Sequence, residues 1–474
     1  MTGDSLYDGI AVATSIPPRL VRENAGHRID DEYQKLCIRS LVECGFRVVS
    51  VNSDDEIETL APRFPEVNFV KTNRNASAWT GRKNPYIADL LSALADAPEP
   101  VVGVVNSDLI FESSTVWREG LASLAVLDDT IVIGHRYDAT SLLTGTFRRF
   151  WPGFDYFFFA KSFVGVLTED AMPFAMGLPF WDYWLPAAAA TRKREVLVVE
   201  NPRVTHLMHT HGYDPAALVV FAQFFASFIV KNSDQASGQV PECISAIVPT
   251  CRAILTLRKG VQREEDEILR KVTEIMTLFL PIIRKRGIRY GPLSADSSDT
   301  TTQSGNDLTV ANVFANFQRR FEAGEAFERA KGFALQNKPA EAAAEFHAAL
   351  RQAPADFEVL LSFGEFAFSH GNVGAALQLL EKAVGYQPQT GKALNSLGVV
   401  LHAAGRRDEA IDTFKKLLRI DSQFKDAYAS LAFVLFEGKQ HREALYFLRQ
   451  ALTKWPDFTD AQNLYSHISR NFGT

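Results

Sequence analysis

The sequence predicts two folds in one chain: an α/β domain with a mainly parallel sheet in the first half, and an all-α solenoid of paired helices in the last third. Three observations predict this. From Gly9 onward short apolar runs alternate with helical patterns, which implies a mainly parallel sheet covered on both faces. Beyond residue 323, small and bulky residues return at intervals of 34 residues, a period that belongs to stacked helical hairpins. Between the two, Leu293 to Asp307 reads LSADSSDTTTQSGND, a polar stretch with almost nothing to bury and therefore a linker. The expected divisions are 1–235 for the α/β domain, 236–292 for a helical extension, 293–307 for the linker and 308–474 for the solenoid.

In the first domain the expected elements are a strand Ile10–Ala13, a helix Asp30–Cys44, a strand Phe46–Val51, a helix Asp54–Leu60, a strand Val67–Val70, a helix Tyr86–Leu94 and a strand Val101–Val105. Ligands of such sheets bind at the carboxyl ends of the strands. Asn106, Ser107 and Asp108 follow the strand Val101–Val105 directly, although an aspartate there also serves as a turn or helix cap. The first strand ends in Thr14, Ser15, Ile16, Pro17, Pro18 and Arg19. Two prolines hold that loop open, and the planar fork of Arg19 suits a phosphate; taken by itself the segment reads equally well as an ordinary loop. No GxGxxG or GxxxxGK(S/T) follows the first strand, which argues against a dinucleotide or P-loop enzyme. Further on, Ala216–Val230 is an apolar run of 15 residues interrupted by Gln223 and Ser227. A spanning helix needs roughly 20, so a buried helix is expected. Ile268, Leu269, Val272, Ile275, Met276, Phe279, Leu280 and Ile283 share one helical face that closes the first domain or bridges to the repeats.

Composition bounds the partners. The chain has 474 residues, 46% hydrophobic and 22% charged, with a net charge of -6, so it is globular and lacks the basic surface of a nucleic-acid binder. Cys37, Cys44, Cys243 and Cys251 show neither zinc spacing nor a disulfide framework. The start, MTGDSLYDG, lacks the basic and apolar pattern of a secretory signal. A cytoplasmic protein, at most peripheral at the inner face of a membrane, is expected.

In the last third Ala342, Ala376, Ala410 and Ala444 keep the 34-residue interval, as do Pro354, Pro388 and Pro456, with Ser422 in the remaining slot. Ala330, Gly364, Gly398 and Ala432 repeat likewise where two helices must approach, and Phe346, Leu380, Phe414 and Leu448 supply the bulky contacts. The expected repeats are 323–356, 357–390, 391–424 and 425–458, with a capping helix in 459–474. These repeats resemble the tetratricopeptide family over about 150 residues, departing from its pattern at Ser422 and Lys439. The resemblance implies a groove for a protein partner, or else docking on the chain's own first half or homodimerisation.

TSIPPR (Thr14 to Arg19), GRKNPYIADLL (Gly81 to Leu91), VVGVVNSD (Val101 to Asp108), GFDYFFF (Gly153 to Phe159), PFWDYWL (Pro179 to Leu185) and THLMHTHGY (Thr205 to Tyr213) occur in an order that is similar to nucleotide-sugar glycosyltransferases of the GT-A type, a Rossmann-like fold. The resemblance spans roughly residues 8–215. It implies transfer of a sugar from a nucleotide-sugar donor to a glycan, lipid-linked or protein acceptor, with a Mn2+ or Mg2+ ion against the diphosphate. The competing expectation is a repeat scaffold with a degenerate, non-catalytic first domain.

Under the resemblance Asp108 is the metal ligand, and Asn106 stands where a first aspartate is usual. Asn106 therefore leaves fewer carboxylates on the metal, or contacts ribose or sugar. A late histidine completes the metal site; of His206, His209 and His211, His211 is expected first and His209 second. Asp182, between Trp181 and Trp184, is the expected general base of an inverting transfer; in a retaining one it would hold acceptor or donor. Trp181 and Trp184 offer ring faces to the acceptor sugar. Ser15, Pro17, Arg19, Arg82 and Asp89 are expected around the nucleotide and diphosphate. Asp155 either binds donor hydroxyls or is satisfied by its own neighbours.

Overall fold

The computed structural model describes residues 9–24, 26–114, 116–122, 130–150, 153–169, 173–199, 203–209, 215–235, 240–286 and 307–472. By contacts the chain divides into two units. The first holds Met1–Arg22, Ile29–Ala139 and Arg149–Ala315, and the second holds Glu23–Arg28, Thr140–Arg148 and Asn316–Thr474.

The first unit is built on a seven-stranded sheet. From edge to edge it runs Glu195–Val199, Thr130–Gly134, Tyr156–Ala160, Val101–Val105, Ile10–Thr14, Phe46–Asn52 and Asn68–Lys71. Ile10–Thr14 pairs in parallel with Phe46–Asn52 and with Val101–Val105, and Phe46–Asn52 in parallel with Asn68–Lys71. Tyr156–Ala160 alone runs the other way, antiparallel to both of its neighbours. The expected strands agree with these to within a residue or two. Strand residues alternate between the two sheet faces. Accordingly Ala11, Ala13, Val102, Val104, Phe157 and Phe159 join one core cluster, and Ile10, Val12, Val101, Val105 and Phe158 join the other.

Helix Pro215–Gln235 is long and apolar enough to cross a membrane by composition, and half of its most apolar window is buried. Its Phe225 stacks on Phe180 with ring centroids 5.2 Å apart. Helices Glu242–Thr256 and Gln262–Arg286 bury Ile244, Ile247, Ile275 and Phe279 in the same cluster. The helical extension therefore closes the core of the first unit. The expected linker, 293–307, lies outside the described residues except for Asp307.

The second unit stacks helix pairs: Phe317–Leu335 with Pro339–Gln352, Phe357–Ser369 with Val373–Tyr386, Gly391–Ala403 with Arg407–Ile420, and Lys425–Glu437 with His441–Lys454, followed by Thr459–Phe472. The first of these helices starts at Phe317, ahead of the expected repeat boundary at 323. Ala342, Ala376, Ala410 and Ala444 are all fully buried. The recurring small positions mark close approach. A Cβ on Gly364 would lie 2.7 Å from Leu380 Cγ, and one on Gly398 would lie 2.7 Å from Phe414 Cε1.

Candidate metal centre

The central strand Val101–Val105 delivers Asp108 to the carboxyl end of the sheet, three residues past its last residue. A second, smaller sheet brings the histidines there. In it Val204–Leu207 pairs antiparallel with Ile110–Phe111, setting Thr205 opposite Ile110. It pairs in parallel with Tyr137–Ala139, setting His206 opposite Asp138. Fully buried Tyr33 fastens the two segments together: its hydroxyl donates to Asp108 O at 2.7 Å and accepts from the Leu207 amide at 2.9 Å.

As a result one carboxylate and two imidazoles converge. The ligand atoms of Asp108, His206 and His209 all lie within 4.8 Å of one another. His206 Nε2 stands 3.3 Å from Asp108 Oδ2, and His209 Nε2 stands 4.0 Å from the same oxygen. Donors sharing one first-row ion at about 2.1 Å each stand roughly 3 to 4 Å apart, so these two separations fit an ion. Both Asp108 and His209 are about a quarter exposed, whereas His206 is buried. The other ring nitrogen of His206, Nδ1, faces Asp138 Oδ1 at 3.1 Å. A carboxylate behind an imidazole fixes its tautomer and leaves Nε2 for a metal.

Behind this trio lies a charge network. Arg136, 5% exposed, donates from Nε to Asp138 Oδ1 at 2.9 Å and reaches Asp155 Oδ2 from Nη1 at 2.7 Å. Asn106 Nδ2 donates to Asp155 Oδ1 at 2.6 Å. Arg22 Nη2 donates to Asp108 Oδ2 at 2.7 Å. Burial alone would raise the Asp108 carboxyl, but His206, Arg22 and Arg136 around it hold it well below the usual carboxylate range. Burial alone would lower His206; the Asp108 and Asp138 carboxylates outweigh it and raise the imidazole.

Asp182 sits in the first turn of helix Trp181–Thr191. Burial, reinforced by the Asp155 carboxylate, pushes it up to about 8. Its Oδ2 lies where a side chain on Gly153 would start, only 2.3 Å from an ideal Cβ. The first-strand loop is braced from beneath: Ser50 Oγ accepts from the Ile16 amide at 3.0 Å, Asn52 Nδ2 donates to Ile16 O at 3.0 Å, and Gln34 Nε2 donates to Pro17 O at 2.7 Å. Asp89 accepts from Thr72 Oγ1 at 3.1 Å and pairs with Arg74 at 3.4 Å; burial, more than these partners, raises its carboxyl.

Several expected roles change. His211 lies outside the described residues, and buried His206 stands in the cluster with His209. Asn106 turns its amide to Asp155, and Asp155 pairs with Arg136, so that protein neighbours engage this carboxylate. Trp181 packs on Phe157, and Trp184 on Phe174 and Phe228. At 3% and 0% exposure their faces are occupied by protein rather than offered to an acceptor. Arg19 and Arg82 are exposed and form no ion pair among the described residues. Arg22, Arg136 and Asp138 were not among the expected site residues; for the last two, opposite charges on either side of Tyr137 in HRYDA (His135 to Ala139) were the available signal.

The second unit defines the class to which the C-terminal region belongs: its sequence matches tetratricopeptide repeat families over residues 327–389 and 367–424, and again over 401–468. This region is a tetratricopeptide repeat array. The chain is 31% identical over 88 residues to small glutamine-rich tetratricopeptide repeat-containing protein 2 of Mycosarcoma maydis, a match that covers 19% of this chain. It spans a quarter of the length of that relative. Among solved structures it is similar to MamA, at 19% identity and a TM-score of 0.30 over 31% of this chain and 81% of that one. It is also similar to YrrB, described as a tetratricopeptide repeat protein with an unusual peptide-binding site, at 20% identity and a TM-score of 0.30 over 33% of this chain and 78% of that one.

Proposed function

We propose that the first unit transfers a sugar from a nucleotide-sugar donor, with a divalent metal ion, and that the repeat array recruits a protein partner or the acceptor. The observation that carries the proposal is the convergence of Asp108, His206 and His209 at the carboxyl end of the central strand. Supporting it is the strand order, in which one antiparallel strand, Tyr156–Ala160, is inserted beside the central strand of a parallel sheet. This arrangement agrees with the GT-A resemblance of the sequence. Two imidazoles with one carboxylate favour Mn2+ over Mg2+, which prefers an all-oxygen shell.

The bound ion would neutralise charge developing on the departing nucleoside diphosphate. Asp108, His206 and His209 would hold it, with Asp138 orienting His206. The braced loop Ser15–Arg19 follows the carboxyl end of one parallel strand, and Thr72 and Arg74, which hold Asp89 of helix Ile87–Ala95, follow that of another, a placement suited to the nucleotide. Asp182, whose carboxyl burial pushes up to about 8, is suited in its ionised form to accept a proton from an acceptor hydroxyl.

The test is binding of uridine and guanosine diphosphates to the full chain with and without Mn2+, followed by nucleotide release from a donor panel. Asp108→Ala should abolish Mn2+-assisted nucleotide binding and turnover while leaving the circular dichroism unchanged. Retained turnover would remove Asp108 from the site. If no nucleotide binds, the repeat array stands alone as the functional part and the protein is a scaffold.

A further inference from the structure

A resident cation already sits in the metal cluster. Arg22 Nη2 lies 2.7 Å from Asp108 Oδ2, the very oxygen that His206 Nε2 and His209 Nε2 face at 3.3 and 4.0 Å. The Arg22 side chain is 7% exposed. Its Nη1 donates to Val21 O at 2.9 Å, while its Nε, buried, meets no hydrogen-bond acceptor among the described residues.

Two costs follow. A divalent ion drawn to Oδ2 meets a guanidinium in a poorly solvated site, where like charges repel far more strongly than in water. A buried donor without an acceptor is itself unfavourable and marks a place where an acceptor fits. The backbone at Arg22 is fixed, since its amide donates to Asp30 Oδ1 at 2.8 Å and its carbonyl accepts from the Ile29 amide at 3.0 Å. The side chain is therefore the part left to change partners. Arg136, the other guanidinium acting on Asp108, is held by Asp138 and Asp155 and is not available for exchange.

We propose that Arg22 exchanges partners when metal and nucleotide bind. In the metal-free protein it neutralises Asp108; on binding it yields Oδ2 to the divalent cation and turns its fork to the oxygens of the diphosphate. A guanidinium pairs with two such oxygens at once, and its unsatisfied Nε gains an acceptor in the process. This proposal rests on the metal-dependent transfer proposed above. It makes Arg22 a brake on metal binding and a clamp on the anion, two roles with opposite signs.

The opposite signs supply the test, on the full chain with Mn2+ alone and then with inorganic pyrophosphate. Free Mn2+ is followed by electron paramagnetic resonance, and pyrophosphate binding by calorimetry at saturating Mn2+. Arg22→Gln should tighten Mn2+ about tenfold, because a positive charge has left the site. It should weaken pyrophosphate about tenfold, because the fork is gone. Arg22→Lys, which keeps the charge without the fork, should leave Mn2+ near wild type and weaken pyrophosphate; it carries the anion half of the test if Arg22→Gln does not fold. A merely structural arginine would weaken both affinities together. Unchanged or weaker Mn2+ binding in Arg22→Gln, with Mn2+ bound normally by the wild type, overturns the exchange alone, as does pyrophosphate binding that neither variant weakens. Failure of wild type and variant alike to take up Mn2+ overturns the metal centre and the exchange with it.

Discussion

At the scale of single residues, Asp182 carries a pH signature that does not depend on turnover. In the unfolded chain an aspartate loses its proton near pH 4, whereas burial holds the proton on folded Asp182 up to about 8. Between those values the folded state binds the extra proton, so this residue's contribution to stability falls as pH rises, and the loss levels off above the folded value. The amide introduced by Asp182→Asn does not titrate. The variant should therefore match the wild type in melting temperature at pH 3 and exceed it by a margin that grows up to about pH 8. If Asp182 is the base, wild-type transfer should rise with pH through about 8 while the variant is inactive. A stability margin that ignores pH would show that Asp182 ionises normally. Asp108 and His209 were legible in the sequence because one follows an apolar run and the other lies in a histidine cluster. Arg22 was not, since its partner lies 86 residues away and local spacing says nothing of such pairs.

At the scale of elements, the segment Thr140–Arg148 belongs to the repeat unit although it is embedded in the sequence of the α/β half. Its anchor is Asp356, 1% exposed, which caps helix Phe357–Ser369 by accepting the Val359 amide at 2.9 Å. The other carboxylate oxygen accepts from Thr140 Oγ1 at 2.8 Å and the Thr146 amide at 2.7 Å. Asp356→Ala removes a cap and strands the buried Thr146 amide and the half-buried Thr140 hydroxyl. It should cost about 3 kcal/mol in chemical denaturation of the repeat unit, from a charged acceptor and a helix cap together. Asp356→Asn, which retains an acceptor, should cost less, and equal losses would mean that the acceptor is not what matters. The helices and parallel strands were legible because periods of 3.6 and 2 are local properties. Trp181 and Trp184 are expected at an acceptor because a ring that packs on protein and a ring that packs on sugar have the same sequence. Only the contacts of Trp181 and Trp184 with Phe157 and Phe174 separate the two.

At the scale of the whole molecule, the 34-residue period suggests a self-contained C-terminal module, and the repeat unit is not self-contained. Arg320, in its first helix, is buried with its guanidinium on two carbonyls of the embedded segment: Nε donates to Gly145 O at 2.7 Å and Nη2 to Ser141 O at 2.8 Å. Its carbon Cζ stands 4.1 Å from the centre of the Phe147 ring, and burial pulls the guanidinium down to about 9. Gly324 keeps the helix close to the same segment, for a Cβ there would lie 2.1 Å from Phe147 O. A fragment beginning at Asn316 loses all of these partners while keeping every repeat. Arg320 then returns to water, but Phe317 loses the Phe147 ring that packs on it at 4.6 Å, and Asp356 loses two donors. The fragment should remain helical, since the later repeats bury their cores among themselves. It should melt roughly 10 °C below the repeat unit of the full chain, the shift expected for about 3 kcal/mol in a unit of this size. Equal melting temperatures would show that the embedded segment merely rests on the repeats, whereas the expected deficit would mean that the repeat unit needs a segment from far upstream in the sequence to complete its fold.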